Sequence, residues 1–302
     1  MSVASALSQL ANYRVHNTRA SQRTFEKGYQ ILQKNAHKNL GDDSWAFLEQ
    51  LALASIDIGR LDVADDCLQL LSDKFPGSPR VECLTGIRLE AASPPETALK
   101  YYSELLEADS ANATAWKRKI SVLRRTGKVE KAVGELCAFL DTFYTDVEGW
   151  LELADLYAEC CQYTPSLQAL SHALLLAPQN PFYALQFAET AYTANDLPLA
   201  LKTFLVVVDM SDGDESGVTL AESTPLGITV RAWFGVKLCT RRLLAPSTLQ
   251  PSSESGTPPP TPTHLALLDE LATERLRVAY SSSAGVKGEI ARGREEVFAW
   301  VA

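Results

Sequence analysis

The chain has 302 residues, 46% of them apolar and 22% charged, and a formal net charge of -9. That length suits two ordinary domains or one continuous stack of repeating units, and the acidic balance excludes a surface built throughout to grip nucleic acid or anionic lipid. The most apolar runs, residues 174–177 and 204–208, fall far short of the roughly 20 residues a bilayer helix needs, so no direct transmembrane insertion is expected.

Residues 1–44 open the chain. Their first ten residues carry no basic region followed by an apolar core, so no secretory signal is expected. Residues 23–38 predict a helix with Phe25, Tyr29 and Leu32 on one side. Such a helix would form an N-terminal cap, covering an apolar face that the first repeat would otherwise show to water.

From residue 45 to residue 212 the pattern becomes periodic. Small residues recur at Ala52, Gly86, Ile120, Ala154 and Ala188, and again at Ala64, Ala98, Ala132, Ser166 and Ala200, always by one constant step. The bulky column Leu68, Tyr102, Leu136, Leu170 and Phe204 keeps the same phase, as does the column Leu71, Leu105, Phe139, Ala173 and Val207. The step matches the roughly 34-residue period of tetratricopeptide repeats, pairs of antiparallel helices whose small residues allow close approach. The expected fold is therefore all-α, a superhelical solenoid with five phased repeats over residues 45–212. Trp116 and Trp150 share one position early in helix A of units three and four, where a ring would wedge between helices. Gly59 and Gly127 fall where helix A must close with positive φ, and Pro165 and Pro198 suit the first turn of helix B. Pro76 and Pro178 stop helix B at equivalent places.

After Asp212 the phase is lost, and residues 213–302 are expected to form a divergent sixth repeat. Residues 211–223 read as an acidic loop containing Asp212, Asp214, Glu215 and Glu222. Residues 226–244 return to a helical pattern through Val230, Trp233, Phe234 and Leu238. Residues 246–263 hold six of the chain's fifteen prolines amid serines and threonines, the composition of a disordered insertion. Residues 264–280 supply the partner helix, with Leu267, Leu268, Leu271, Leu276 and Val278 available for packing. A C-terminal capping helix over residues 289–302 would end in Val297, Phe298 and Trp300.

Nothing in the sequence marks a reaction centre. His16, His37, His172 and His264 lie far apart, without ligand spacing to Cys or carboxylate. Gly127-Lys128 lacks the preceding glycine and the following Ser or Thr of a phosphate loop. The six cysteines, at positions 67, 83, 137, 160, 161 and 239, form no C-x-x-C pair and read as reduced thiols of a cytosolic protein. Adjacent Cys160 and Cys161 would point about 100° apart on a helix, which disfavours a bridge. No enzyme activity, metal or cofactor is expected.

One charge cluster departs from the acidic average. Residues 113–131 contain Lys117, Arg118, Lys119, Arg124, Arg125, Lys128 and Lys131 against Glu130 alone, seven minus one, or +6. Lys117 and Arg124 share one helix face that the repeat register turns toward the inner groove. That face reads either as an ordinary solvated one or as a docking site for an acidic segment or phosphorylated headgroup. Lys119 falls in a column where Leu51, Leu153 and Phe187 look buried, so its stem would pack while its ammonium reaches water. Ile87, Leu151, Leu185 and Tyr192 are also predicted inward, giving a groove apolar enough to hold a partner element. Of the inner positions where other tetratricopeptide proteins clamp a chaperone's C-terminal carboxylate, only Lys117 has a suitable side chain. An adaptor role for cytosolic chaperones is the alternative reading.

The chain resembles subunit 2 of the endoplasmic reticulum membrane protein complex. The resemblance rests on Phe75-Pro76-Gly77-Ser78, Arg80-Val81, Leu84, Gly86 and Glu90-Ala91, then Lys117-Arg118-Lys119-Ile120, Trp150, Glu152-Leu153-Ala154 and Tyr157, and finally Pro178, Asn180, Tyr183, Ala188-Glu189 and Tyr192-Thr193. These segments span about residues 45–210. The resemblance implies a non-catalytic scaffold on the cytoplasmic face of the endoplasmic reticulum, peripheral through partner subunits. There it would hold cytosolic parts of membrane-embedded subunits, beside a further soluble subunit, in a complex that inserts tail-anchored and multipass membrane proteins. No nucleic acid partner is implied. Lys117, Arg118, Arg124 and Arg125 would supply charge to the groove, and Ile87, Leu151, Leu185 and Tyr192 would supply burial.

Overall fold

The structure, a computed structural model, describes residues 3–36, 40–41, 43–212, 224–245, 255–281 and 289–301. Among the described residues the fold is all-α, with fifteen helices and no strand. The chain divides into two compact units, Met1–Phe143 and Tyr144–Ala302. In the first, α1 (Val3–Val15) and α2 (Ser21–Gln33) precede three helix pairs. These are α3 (Asp43–Asp57) with α4 (Leu61–Lys74), α5 (Pro79–Ala92) with α6 (Pro95–Ala108), and α7 (Ala113–Arg125) with α8 (Val129–Thr142). The second holds α9 (Val147–Glu159) with α10 (Tyr163–Leu176), α11 (Pro181–Thr193) with α12 (Leu197–Asp212), α13 (Ile228–Leu244) with α14 (Pro262–Ser281), and finally α15 (Glu289–Val301).

Both small-residue columns are buried in all five phased pairs, α3 with α4 through α11 with α12. They let the paired helices come close enough for the Ser166 hydroxyl on α10 to donate to the Ala154 carbonyl on α9 at 2.8 Å. Gly86 shows how tight the approach is. A Cβ there would lie 2.5 Å from the ring of Tyr102, a side chain fully buried at the next bulky position. The amino ends repeat as well: Asn112, Asp146 and Asn180 cap α7, α9 and α11 by accepting from the amides of Ala115, Gly149 and Phe182 at 3.0, 2.8 and 3.0 Å. The Trp116 and Trp150 rings are half-buried, and each indole N–H donates to a carbonyl before its helix, Ser110 at 3.0 Å and Tyr144 at 2.9 Å. They close those turns as well as packing.

Gly59 and Gly127 close α3 and α7 with φ of 79° and 71°, as the spacing predicts. Cys161 and Asn195 occupy the same place after α9 and α11, at φ 57° and 66°. A side chain in this conformation costs roughly 1–2 kcal/mol, and asparagine tolerates it better than cysteine does. Cys161→Gly is therefore expected to raise stability by on the order of 0.5–1 kcal/mol after the added chain entropy of glycine, read as a higher urea midpoint. An unchanged midpoint would show that the cysteine side chain offsets its own strain. Because α9 stops at Glu159, the helical angle expected between Cys160 and Cys161 does not apply; both are exposed and free. Burial pushes the thiols of Cys67 and Cys239 up to about 12, which makes them poor nucleophiles at neutral pH.

Three expectations change. Within the expected N-terminal cap, where the pattern assigns no helix before residue 23, Val3–Val15 form α1, which buries Ala6 and Leu10. On α14 the inward face is Leu265, Ala272 and Leu276, while Leu267 and Leu271 face solvent. On α13, Leu238 is the exposed side chain and Lys237 the buried one. The Lys237 ammonium donates to Asp269 Oδ2 and Thr273 Oγ1 of α14, both at 2.7 Å, and Thr240 donates to Asp269 Oδ1 at 2.9 Å. The ion pair satisfies a charge that the apolar pattern placed outside. At the carboxyl end, Trp300 of α15 packs against Phe234 at 5.4 Å between centroids, with the Arg241 guanidinium 4.9 Å from its ring. The acidic loop lies outside the described residues beyond Asp212, as do residues 246–254 of the Pro/Ser-rich insertion. Residues 255–261 are non-helical, and α14 begins at Pro262.

Candidate partner-binding surface

In the first unit, the turn between α1 and α2 meets α3, α5 and α7 around a cleft of about 470 Å³. Its walls include Tyr13, Arg14, Arg19, Gln50 and Asp57, together with Ile87, which the repeat register predicts to face inward, and Arg118, one of the basic residues expected to charge the groove. The turn is held by polar side chains. Arg14 donates to Gln50 Oε1 at 2.9 Å, Gln50 donates to the Leu10 carbonyl at 3.2 Å, and Arg19 grips Asp57 through two nitrogens at 3.1 and 2.7 Å. The Ser21 hydroxyl also donates to Asp57.

Hydrogen bonding from Arg19 holds the Asp57 carboxyl below its ordinary 3.8, against the opposing effect of burial and with help from Ser21. A carboxylate depressed in the folded state contributes stability that is complete above its unfolded value and is lost as the pH falls through the folded one. The turn is therefore expected to loosen in acid. Amide protection in residues 16–21, corrected for the intrinsic exchange rate, should fall in the native protein as the pH drops below the ordinary carboxylate value of 3.8, and Asp57→Asn should abolish that pH-dependent loss. A variant that keeps it would remove Asp57 as the cause.

The basic run on α7 is largely answered from neighbouring helices. Arg118 donates to Glu90 Oε1 of α5 through Nε at 2.9 Å and Nη2 at 2.7 Å, and Arg125 approaches Glu90 Oε2 at 3.7 Å. The Tyr102 hydroxyl donates to the same Oε1 at 2.7 Å. Only 6% of the Glu90 side chain is exposed. Burial of Tyr102, then its contact with the Glu90 carboxylate, pushes its phenol far above the ordinary value. Burial alone would lower Arg118, but its hydrogen bond to Glu90 and the carboxylate charge outweigh that, so it remains a cation. Lys119 corrects its expected placement: its ammonium does not escape to water but pairs with Glu135 of α8 at 2.7 Å. Lys128 pairs with Glu96 at 3.1 Å. Lys117 lies 5.9 Å from the Phe139 centroid, and Arg124 is half-buried on the same helix.

The same kind of polar link joins other successive A helices. Arg80 of α5 reaches Glu49 of α3 at 2.7 Å in the first unit. In the second, Gln186 of α11 donates to Asp155 of α9 at 2.7 Å, and Arg231 of α13 holds both oxygens of Glu189 on α11 at 2.5 and 2.8 Å. The apolar residues predicted inward here diverge. Leu151 is half-buried, and Tyr192 carries the Arg242 guanidinium 5.1 Å from its ring centroid. Leu185, only 5% exposed, belongs to the core with Ala188, Leu201 and Phe204, so it adds to folding and leaves a partner little area. Sequence reasoning missed Asp57, Arg14 and Arg19, because it assigned no helix before residue 23 and so no cleft wall.

Among the described residues, no three His, Cys, Asp or Glu side chains are grouped to hold a metal ion, and no helix is long and apolar enough to cross a membrane. The arrangement offers cationic and aromatic contacts on helix faces.

A family profile described as the EMC2 TPR-like repeat domain matches residues 65–202. ER membrane protein complex subunit 2-A of Xenopus laevis is 40% identical over 189 residues, 63% of this chain and 63% of that protein. TPR repeat protein oca3 of Schizosaccharomyces pombe is 30% identical over 220 residues, 70% of this chain and 73% of oca3. The chain thus spans less than two thirds of the Xenopus relative. Among solved structures, the C-terminal part of a TPR repeat-containing protein from Cytophaga hutchinsonii gives a TM-score of 0.56 at 11% identity, covering 97% of this chain and 99% of that one. That likeness is one of fold.

Proposed function

Because the chain belongs to the EMC2 family of tetratricopeptide-repeat proteins, we propose that it is a non-catalytic scaffold subunit of an endoplasmic reticulum membrane protein complex. It holds cytosolic parts of membrane-embedded subunits, supports insertion of tail-anchored and multipass proteins, and lies on the cytoplasmic face through those partners. The observation that carries the reading is the 40% identity to a protein named for that complex. The helix faces are consistent with it, since Lys117, Arg124 and Ile87 in one unit and Leu151 and Tyr192 in the other retain partial exposure.

The test is a mild-detergent affinity purification of the tagged chain from its own cells. Recovery of a stoichiometric set of multispanning membrane proteins supports the scaffold. Recovery of cytosolic chaperones alone overturns it in favour of an adaptor. Lys117→Glu with Arg124→Glu should reduce recovery of the membrane proteins severalfold while the isolated chain keeps its helical content and unfolding midpoint, because reversing charge on a docking face costs affinity without removing core contacts. Undiminished recovery would assign that face to solvent.

A further inference from the structure

Residues 255–261, the described part of the Pro-rich stretch before α14, are mostly exposed, anchored at both ends, and unused by the scaffold reading. At its start the Ser255 amide donates to Oδ2 of the buried Asp196 at 3.2 Å. At its end Thr261 caps α14: its carbonyl accepts from the Leu265 amide at 3.0 Å, and its hydroxyl accepts from the His264 amide at 3.5 Å and lies 3.1 Å from the Thr263 hydroxyl. Thr261 is itself exposed.

Residues 259–262 read Pro-Pro-Thr-Pro. A proline directly after a hydroxyl residue forces it out of the helical region into extended backbone, and proline offers no amide hydrogen of its own. Those two properties are what proline-directed serine/threonine kinases select, with a further preference for proline two residues before the acceptor. We propose that Thr261 is a phosphorylation site for a kinase of this class. Thr261 Oγ1 attacks the γ-phosphorus of ATP; an Oγ1–P bond forms as the bond to the β,γ-bridging oxygen breaks, ADP leaves, and the hydroxyl proton passes to the kinase's catalytic carboxylate.

The new dianion would stand at the amino end of a 20-residue helix whose first turn contains no acidic residue. Phosphate there meets the positive end of the helix dipole and accepts from the amides of the first turn, so modification strengthens α14. Thr257, also followed by proline, has Ser255 two residues before it and is partly buried. It serves as the internal comparison.

The experiment treats the purified full chain with Mg-ATP and an active mitogen-activated protein kinase, then maps phosphate by peptide mass spectrometry. Phosphate is expected on Thr261, lost in Thr261→Ala and in Pro262→Ala, and retained in Thr257→Ala. Pro262→Ala leaves the capping threonine in place, so its loss of phosphate reports the motif and not an unfolded chain. The phosphorylated chain is expected to unfold about 2 °C higher than the untreated one. Phosphate confined to other residues, or an unmodified Thr261 while a peptide of residues 255–266 is phosphorylated, overturns the proposal, as does a lowered midpoint.

Discussion

Asp269→Ala is expected to destabilise the second unit by about 3–5 kcal/mol, the usual consequence of leaving half of a buried ion pair behind. The Lys237 side chain is 3% exposed, and its ammonium donates to the Asp269 carboxylate at 2.7 Å and to the backbone carbonyl of the same residue at 3.4 Å, of which the substitution removes only the first. Without the carboxylate the ammonium retains Thr273, and the buried Thr240 hydroxyl also loses an acceptor. The double variant Lys237→Met with Asp269→Leu removes both charges and should recover most of the loss. Guanidinium unfolding of the three chains decides the matter. A single variant within about 1 kcal/mol of the parent would mean that the ammonium reaches water by a small rotation.

The second large effect is expected at Glu90. Glu90→Ala should cost about 3 kcal/mol, because it strips the buried Tyr102 hydroxyl of its acceptor and Arg118 of its counter-ion together. Tyr102 cannot turn away in compensation, since its ring fills the space that Gly86 leaves open. Glu90→Gln keeps an acceptor while losing the charge, so it should fall between parent and alanine. Chemical unfolding gives the order. A glutamine variant as unstable as alanine would show that the charge carries the interaction and the hydrogen bonds add little.

The repeats were legible because five copies in phase reinforce one another. A single buried alanine means little in a sequence, but Ala64, Ala98, Ala132 and Ala200 at one constant step define a face, and all four are fully buried. The glycine turns at Gly59 and Gly127 were legible for a different reason, since the backbone there takes a conformation that few residues share. Beyond Asp212 there is one copy, and no phase to average. There the apolar pattern alone selected Leu238, Leu267 and Leu271, and the buried Lys237 was invisible because its partner lies 32 residues away. The candidate surface failed to read out in the same way. A +6 run along the chain looks like an open patch until Glu90, 28 residues before Arg118, and Glu96, 32 before Lys128, come alongside it in space.

The polar links between successive A helices bear on mechanics. The Glu49 to Arg80 and Glu189 to Arg231 pairs join one helix pair to the next and have at least one well-exposed member each, so dissolved ions screen them far more than they disturb the cores beneath. Within each unit, then, the polar share of the resistance to sliding of one pair over its neighbour depends on ionic strength, while the apolar core that continues from pair to pair does not soften. A bound segment of opposite charge would add to that polar share by replacing mobile counter-ions with fixed ones.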